Sequence, residues 1–139
     1  MGRNNDTWKI VELENTADAA IFVSASNLRS LFQAAAMGMY SIAGVQHDDR
    51  GKNIKKQLHL SEVNLETLLI SFLSELLFIL ENGLFFNEFH INIEDCELRG
   101  MLIGFRVLSV EKEIKAATFC DLQIKKIRGI FSTKIVFDL

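Results

Sequence analysis

Two aspartates near the ends of predicted strands are the residues whose chemistry stands out in this sequence. Asp18 closes a polar turn before the second predicted strand, and Asp138 is the next-to-last residue of the final predicted strand. If these strands are neighbours, two carboxylates meet at one end of a sheet, and Leu139 adds a main-chain oxygen. Like-charge repulsion between them would be relieved by a hard, oxygen-seeking cation such as Ca²⁺, Mg²⁺ or Mn²⁺.

The same two aspartates also have a purely structural interpretation. Asp18 can organise its turn through its own backbone, and Asp138 can keep a strand end soluble. The residues by themselves therefore leave two readings open, a cation site and a pair of unrelated polar strand ends.

Glu75 is a third acidic residue of interest, because it lies in an almost entirely apolar segment. It either faces the one exposed stripe of a helix or is buried against a cation, since burying an unpaired carboxylate is costly. A metal-dependent hydrolase with Asp18, Asp138 and Glu75 as ligands is one candidate function. Against it, the sequence shows no general base, no Gly-rich phosphate loop and none of the motifs HExxH, CxxC and GxSxG.

A short basic cluster lies beside Gly129, at the tip of a predicted hairpin, and consists of Lys125, Lys126 and Arg128. It either contacts phosphate or an acidic partner, or it is a solvated turn. The whole chain has 15 basic and 18 acidic residues, which gives a net charge of −3. We therefore expect no autonomous binding to nucleic acid.

The composition predicts one domain over residues 1–139, with 49% hydrophobic residues and 11 phenylalanines available for a core. The most apolar run, Leu65 to Leu80, contains Glu66 and Glu75 and is too short for a membrane span. No signal peptide is recognised, so we expect a cytoplasmic protein with Cys96 and Cys120 as free thiols. The sequence does not indicate an oligomeric state.

The elements that must position these residues are predicted in the order ββαβαββββ. Two helices follow the caps at Ser26 or Asn27 and at Asn64, and they end near Gly44 and Gly83. This order indicates an α+β fold, with one domain in two layers and a largely antiparallel or mixed sheet. The predicted strands are Trp8–Leu13, Ala19–Ala25, Lys56–Val63, one beginning near Phe89, Leu98–Val107, Ile114–Ile124 and Ile130–Asp138, with a polar loop from Gln46 to Lys56.

Four segments in order give the chain a recognisable pattern. They are the turn Glu14-Asn15-Thr16-Ala17-Asp18, the run LLISFLSELLFIL around Glu75, the strand EIKAATFCDL, and the ending Ile135-Val136-Phe137-Asp138-Leu139. Together they resemble the archease family, whose pattern runs as an acidic-His-Thr-Ala-Asp turn, a leucine-rich helix with an acidic residue, a Val-Lys-Ala-x-Thr-Tyr-His strand and a closing Val-Ile-Phe-Asp-Ile.

The resemblance implies an accessory protein and not an enzyme. Archeases assist the GTP-dependent RNA ligase that joins tRNA halves in tRNA splicing, by promoting guanylylation of the ligase and its multiple turnover. Carried over by position, the family's metal-binding residues fall on Asp18, Asp138 and Leu139, with a divalent ion, Ca²⁺ first and Mg²⁺ or Mn²⁺ as alternatives. Residues that could support the site are Glu75, Asn15, Lys115 and Thr118.

Three positions depart from the family pattern. Asn15 and Cys120 stand where the family has histidines, and Phe119 stands where it has tyrosine. The Asn15 amide can form hydrogen bonds but does not titrate near neutral pH, so it does not replace an imidazole in any step of the function that requires proton transfer. The lost histidines suggest an alternative function, a chaperone-like module that binds other RNA-modifying enzymes.

Overall fold

A computed structural model describes residues 7–12, 18–51, 53–119 and 122–139 of the chain. Within these ranges, two helices and nine strands confirm the predicted α+β class. Their bounds are β1 (Thr7–Glu12), β2 (Asp18–Ala25), α1 (Leu28–Ala43), β3 (Val45–Asp48), β4 (Ile54–Ser61), α2 (Leu65–Glu81), β5 (Leu84–Glu94), β6 (Glu97–Val110), β7 (Ala116–Thr118), β8 (Lys125–Ile127) and β9 (Ile130–Asp138).

The first sheet is built around β2 and β9, and β2 pairs along its whole length with residues 131–138 of β9. β1 pairs with the other edge of β2, while the short strands β7 and β8 share the other edge of β9, and each pairing is antiparallel. The run Ile135-Val136-Phe137 is buried, and β9 has neighbours on both edges, which confirms the interior strand predicted from it. Asp18 and Asp138 are directly opposite each other in this register.

The second sheet is built around the long strand β6. β5 pairs with one edge of β6, and β4 and β3 follow each other along the opposite edge. The β5–β6 approach requires glycine, because a Cβ on Gly104 would overlap the carbonyl oxygen of Phe85 and lie 2.7 Å from the Cα of Phe86. A bulge between Phe86 and Glu88 lies at the same point of the pairing, where the local twist increases.

Both helices begin and end close to where the sequence predicts. The side-chain oxygens of Asn27 and Asn64 accept hydrogen bonds from the backbone N–H groups of Ser30 and Thr67, each at 2.8 Å, as N-cap residues do. At the other end of α1, Gly44 adopts the left-handed conformation with φ 64°, which glycine reaches without steric penalty.

One hydrophobic cluster joins the two helices and the two sheets. α1 packs against β2 and β5, and α2 packs against β5 and β7, so each helix contacts both sheets. Phe72 of α2 lies near the centre, with its ring centroid 5.6 Å from that of Phe32 in α1 and 6.0 Å from that of Phe89 in β5. None of the helices in the described ranges combines the length and the apolar character that crossing a bilayer requires.

The predicted order ββαβαββββ is wrong in two places, and the strands form two sheets instead of one. The predicted loop from Gln46 to Lys56 includes most of β3, because β6 extends past the end of β4 and offers a further edge for pairing. The His47 ring also stacks on Phe85 and Phe105, with centroid separations of 4.7 and 5.3 Å. These ring contacts hold the otherwise polar segment around His47 against apolar side chains.

The predicted strand Ile114–Ile124 is the second difference. Among its described residues, 114–119 and 122–124, those that pair are 116–118, as β7, and the next strand begins at Lys125. The backbone N–H of Ile124 donates to the Glu66 carboxylate at 3.0 Å, and that of Leu122 donates to the Phe119 carbonyl at 3.0 Å. Because these donors bond to a side chain and a turn, they are not available to a sheet neighbour.

Candidate functional site

The site begins with the pairing of β2 and β9, which brings Asp18 and Asp138 to the same end of the first sheet. Residues directly opposite on antiparallel strands have Cβ atoms about 4.5–5.5 Å apart. Side chains alternate along a strand, so both aspartates lie on the face opposite the buried Ile21 and Phe137. Asp18 is half-buried and Asp138 is exposed, so a solvent-borne ion can reach them.

The start of β7 fixes the other side of Asp138. The backbone N–H of Lys115 donates to the main-chain oxygen of Asp138 at 2.8 Å, and Ala116 is its partner in register. The Lys115 side chain is exposed, and Thr118 is half-buried opposite Val136. Leu139 is half-buried against the hydrophobic core. Lys115 therefore contributes a backbone contact that holds Asp138 in place.

Glu75 does not join the aspartates. It is half-buried in α2, beside the exposed Ser74 and one turn from the exposed Phe78, which fits the exposed-stripe interpretation. In the described part of the chain, no group of three or more His, Cys, Asp or Glu residues could hold a metal ion, so Asp18, Asp138 and Glu75 form no such group. Asn15 and Cys120 lie outside the described residues, whereas Cys96 is a free thiol.

Electrostatics at this sheet end are set by two carboxylates. Neither Asp18 nor Asp138 has an ion pair with a cation of the described residues. Two neighbouring carboxylates repel each other and are hard oxygen donors, so the arrangement favours a divalent cation that prefers oxygen. Two carboxylates leave most coordination positions of such an ion to main-chain oxygens and water.

Farther along the same face of the sheet, the charge changes sign. Lys9, Phe22 and Lys134 are consecutive cross-strand neighbours on β1, β2 and β9. The basic cluster predicted at Gly129 is divided between the two faces, since Lys125 is opposite Ser132 whereas Lys126 lies 5.1 Å from the Phe131 ring centroid. Sequence reasoning missed Lys9 and Lys134, although strand alternation in their segments places each on a defined face.

Comparison with known proteins assigns the family. The model of the Archease protein family (MTH1598/TM1083) matches residues 11–139. The chain belongs to the archease family. The archease of Thermococcus kodakarensis is 33% identical over 144 residues, which cover 91% of this chain and 95% of the relative. That of Pyrococcus furiosus is 30% identical over 136 residues, with the same two shares.

Solved structures show the same fold. A crystal structure described as that of an archease and possible chaperone from Thermotoga maritima matches with a TM-score of 0.70 at 24% identity, covering 91% of this chain and 94% of that one. The solution structure of Methanobacterium thermoautotrophicum protein 1598 matches with a TM-score of 0.68 at 21% identity, covering 95% and 98%. The family match and the curated relatives confirm the archease resemblance inferred from four sequence segments.

Proposed function

We propose that this archease is a non-enzymatic activator of the GTP-dependent RNA ligase that acts in tRNA splicing and RNA repair. In this proposal, it promotes guanylylation and multiple turnover of the ligase through a divalent ion at Asp18 and Asp138. The observation that carries the proposal is the direct cross-strand pairing of these two aspartates in a chain of the archease family. The protein would act in the cytoplasm.

The residues present fit a hard divalent ion. Asp18 and Asp138 offer carboxylate oxygens from adjacent strands, and Leu139 offers a main-chain oxygen next to them. Ca²⁺ is the expected ion, with Mg²⁺ and Mn²⁺ as alternatives, since all three accept oxygen ligands and complete their coordination with water. The Lys115 backbone contact keeps the Asp138 main chain in position, so the two carboxylates stay in register.

Two modes of activation are compatible with such a site. Asp18 and Asp138 can present or deliver an ion that neutralises phosphate charge in the ligase nucleotide pocket. Alternatively, the acidic sheet end can bind the activation-competent conformation of the ligase more tightly than the inactive one, which shifts the ligase population. In both modes the exposed Asp138 faces the ligase, and the net charge of −3 is consistent with a protein target.

A reconstituted ligation assay tests the proposal. Ligase turnover with GTP is measured without this protein, with the unaltered protein, and with Asp138→Asn. We expect stimulation by the unaltered protein and its loss in Asp138→Asn. Asp49→Asn is the matched control, because Asp49 is an exposed aspartate of the β3–β4 turn and its substitution makes the same change in charge. Equal turnover with and without the protein would contradict the proposal.

Calorimetric titration tests the ion separately from the ligase. The unaltered protein is titrated with Ca²⁺, Mg²⁺ and Mn²⁺, and Asp18→Asn and Asp138→Asn follow. Each substitution should weaken binding about tenfold or more, because a hydrogen bond or contact to a charged group contributes about 1.5–3 kcal/mol. Asp49→Asn should bind as the unaltered protein does. No heat with any of the three ions would remove the metal from the proposal.

A chaperone-like module for other RNA-modifying enzymes is the second candidate. The departures at Asn15 and Cys120 favour it, since they remove two family histidines. The Thermotoga maritima relative is itself described as a possible chaperone. Affinity capture from native lysate separates the candidates: recovery of the RNA ligase supports activation, and recovery of an RNA methyltransferase without ligase supports the module.

A further inference from the structure

A second concave site lies on the outer face of the first sheet, away from the aspartate pair. It is a pocket of about 500 Å³ whose lining includes Lys9, Phe22, Lys125, Ser132 and Lys134. None of the described residues that line it is acidic. Of the residues of β2 that line the pocket, Phe22 is the nearest in sequence to Asp18, and their separation of four residues along the strand corresponds to roughly 13 Å. The pocket is therefore distinct from the proposed metal site.

Strand register explains why three lysines meet in this pocket. Lys9 and Lys134 flank Phe22 from the two neighbouring strands, so their backbones are about 10 Å apart. Lys125 is opposite Ser132, which lies two residues from Lys134 on β9, a diagonal separation of about 7–8 Å. Side chains of this length can reach a single group placed above Phe22.

The positive charge in the pocket is not neutralised by the described part of the chain. None of Lys9, Lys125 and Lys134 forms an ion pair with a described carboxylate. Lys134 instead lies 5.7 Å above the Phe22 ring centroid, a cation–π contact that leaves its N–H donors available. Ammonium groups that line one pocket repel one another, and a bound anion would relieve this repulsion.

We propose that this pocket binds a terminal phosphate group, carried by a nucleotide or by the end of an RNA strand. A terminal phosphate offers three acceptor oxygens and more than one negative charge, which matches three lysines and the Ser132 hydroxyl better than a single carboxylate does. Lysine ammonium groups form short, charge-assisted hydrogen bonds to phosphate. Phe22, which is 44% exposed, supplies an apolar floor for a sugar or base attached to that phosphate.

This proposal does not depend on the ligase function, and the two can fail separately. Substitutions in the pocket should leave the heat of metal binding unchanged. Asp138→Asn should leave phosphate binding unchanged, because Asp138 does not line the pocket. The low overall charge, −3, keeps the attraction local, and the affinity should fall as salt increases.

The test uses the full chain labelled with nitrogen-15 and titrated with inorganic pyrophosphate, GTP, a short single-stranded RNA with a 5′-terminal phosphate and a polyglutamate peptide. Pyrophosphate should shift the amide signals of Ser24 and Ser132. Lys125→Gln should weaken this binding about tenfold, the expected effect of losing one charge-assisted contact. Lys126→Gln is the matched control, since Lys126 is the next residue of β8 and contacts Phe131 on the opposite face.

Tighter binding of GTP than of RNA would support the proposal with a nucleotide as the source of the phosphate, and the reverse would support it with an RNA strand. Three results would overturn it. The first is that no phosphate-bearing probe shifts the pocket amides. The second is that polyglutamate binds as tightly as pyrophosphate, and the third is that Lys126→Gln weakens binding as much as Lys125→Gln does.

Discussion

Gly104 shows how one residue can determine whether two strands pair. A side chain at this position would overlap the backbone of β5 at Phe85 and Phe86, and backbone atoms cannot move aside as a flexible side chain can. We expect Gly104→Ala to lower the free energy of unfolding by about 3 kcal/mol, the upper end for overpacking. Urea denaturation followed by circular dichroism measures this loss.

Gly51→Ala is the control for that substitution. A Cβ on Gly51 would meet the Asp48 carbonyl oxygen at 3.9 Å, which is an ordinary van der Waals contact. The change should alter stability by less than about 0.5 kcal/mol, as exposed substitutions usually do. Similar losses in both variants would show that the close approach of β5 and β6 does not explain Gly104.

The burial of Tyr40 predicts how the stability of the protein depends on pH. Its ring is buried, and its hydroxyl oxygen accepts a hydrogen bond from the backbone N–H of Phe86 at 3.4 Å. Burial raises the pKa of Tyr40 well above its ordinary value, chiefly through desolvation of the charged form. Because the pKa of Tyr40 is higher in the folded protein, its neutral buried ring stabilises the fold fully below about pH 10, where the tyrosine of the unfolded chain is also neutral. This stabilisation is lost as the pH rises above that value.

Above about pH 10, Tyr40 should therefore lower the free energy of unfolding by about 1.4 kcal/mol for each pH unit, until the folded protein ionises. Denaturation curves at a series of alkaline pH values measure the slope. Tyr40 is the one tyrosine in the sequence, so tyrosinate absorbance reports its ionisation directly. Tyr40→Phe is the control, and an equal slope in that variant would assign the effect to lysines.

Individual site residues differ in how far the sequence could predict them. Asp18 and Asp138 could be proposed as neighbours because each ends a strand and one of those strands reads as interior. The lysine pocket could not be predicted, because Lys9, Lys125 and Lys134 come from three strands whose register the sequence does not state. Register determines which face each side chain occupies, and a slip of one residue reverses it.

At the level of secondary structure, the N-cap of α2 allows a prediction about stability. The Asn64 carboxamide accepts from the Thr67 backbone N–H at 2.8 Å, and an alanine there would leave that donor without its partner. We expect Asn64→Ala to lower the free energy of unfolding by about 1 kcal/mol. Asn64→Asp should keep most of the stability that the cap provides, since aspartate is an equally good cap. Urea denaturation compares the two variants, and equal losses would contradict the capping role.

The elements that the sequence predicts well are those with a strong local signal. Both helices have an apolar period, a capping asparagine and an end signal, so their bounds follow from nearby residues. β3 has no such signal, because its pairing with β6 and the stacking of His47 on Phe85 and Phe105 are both distant in sequence. The break between β7 and β8 also involves a residue distant in sequence, because the backbone N–H of Ile124 donates to Glu66 at the start of α2.

For the whole molecule, charge is arranged in a way that the total of −3 does not reveal. The acidic pair Asp18 and Asp138 and the basic pocket around Phe22 share one face of the first sheet. Between them lie Ala20 and Val136, both buried, so an apolar row separates the two charged regions. A partner that contacts this face would meet both signs of charge, and the orientation of binding would be set by their order.

The position of both helices against both sheets predicts that the molecule unfolds as one unit. Phe72 is fully buried between Phe32 of α1 and Phe89 of β5, and α2 also packs against β7 of the first sheet. Phe72→Ala should lower the free energy of unfolding by about 3–5 kcal/mol through lost burial and the cavity it leaves. Amide hydrogen exchange should then speed up in β6 and β9 together. Phe78→Ala, on the same helix but 61% exposed, should leave exchange in both strands nearly unchanged. Faster exchange in one sheet alone after Phe72→Ala would show that the sheets unfold separately.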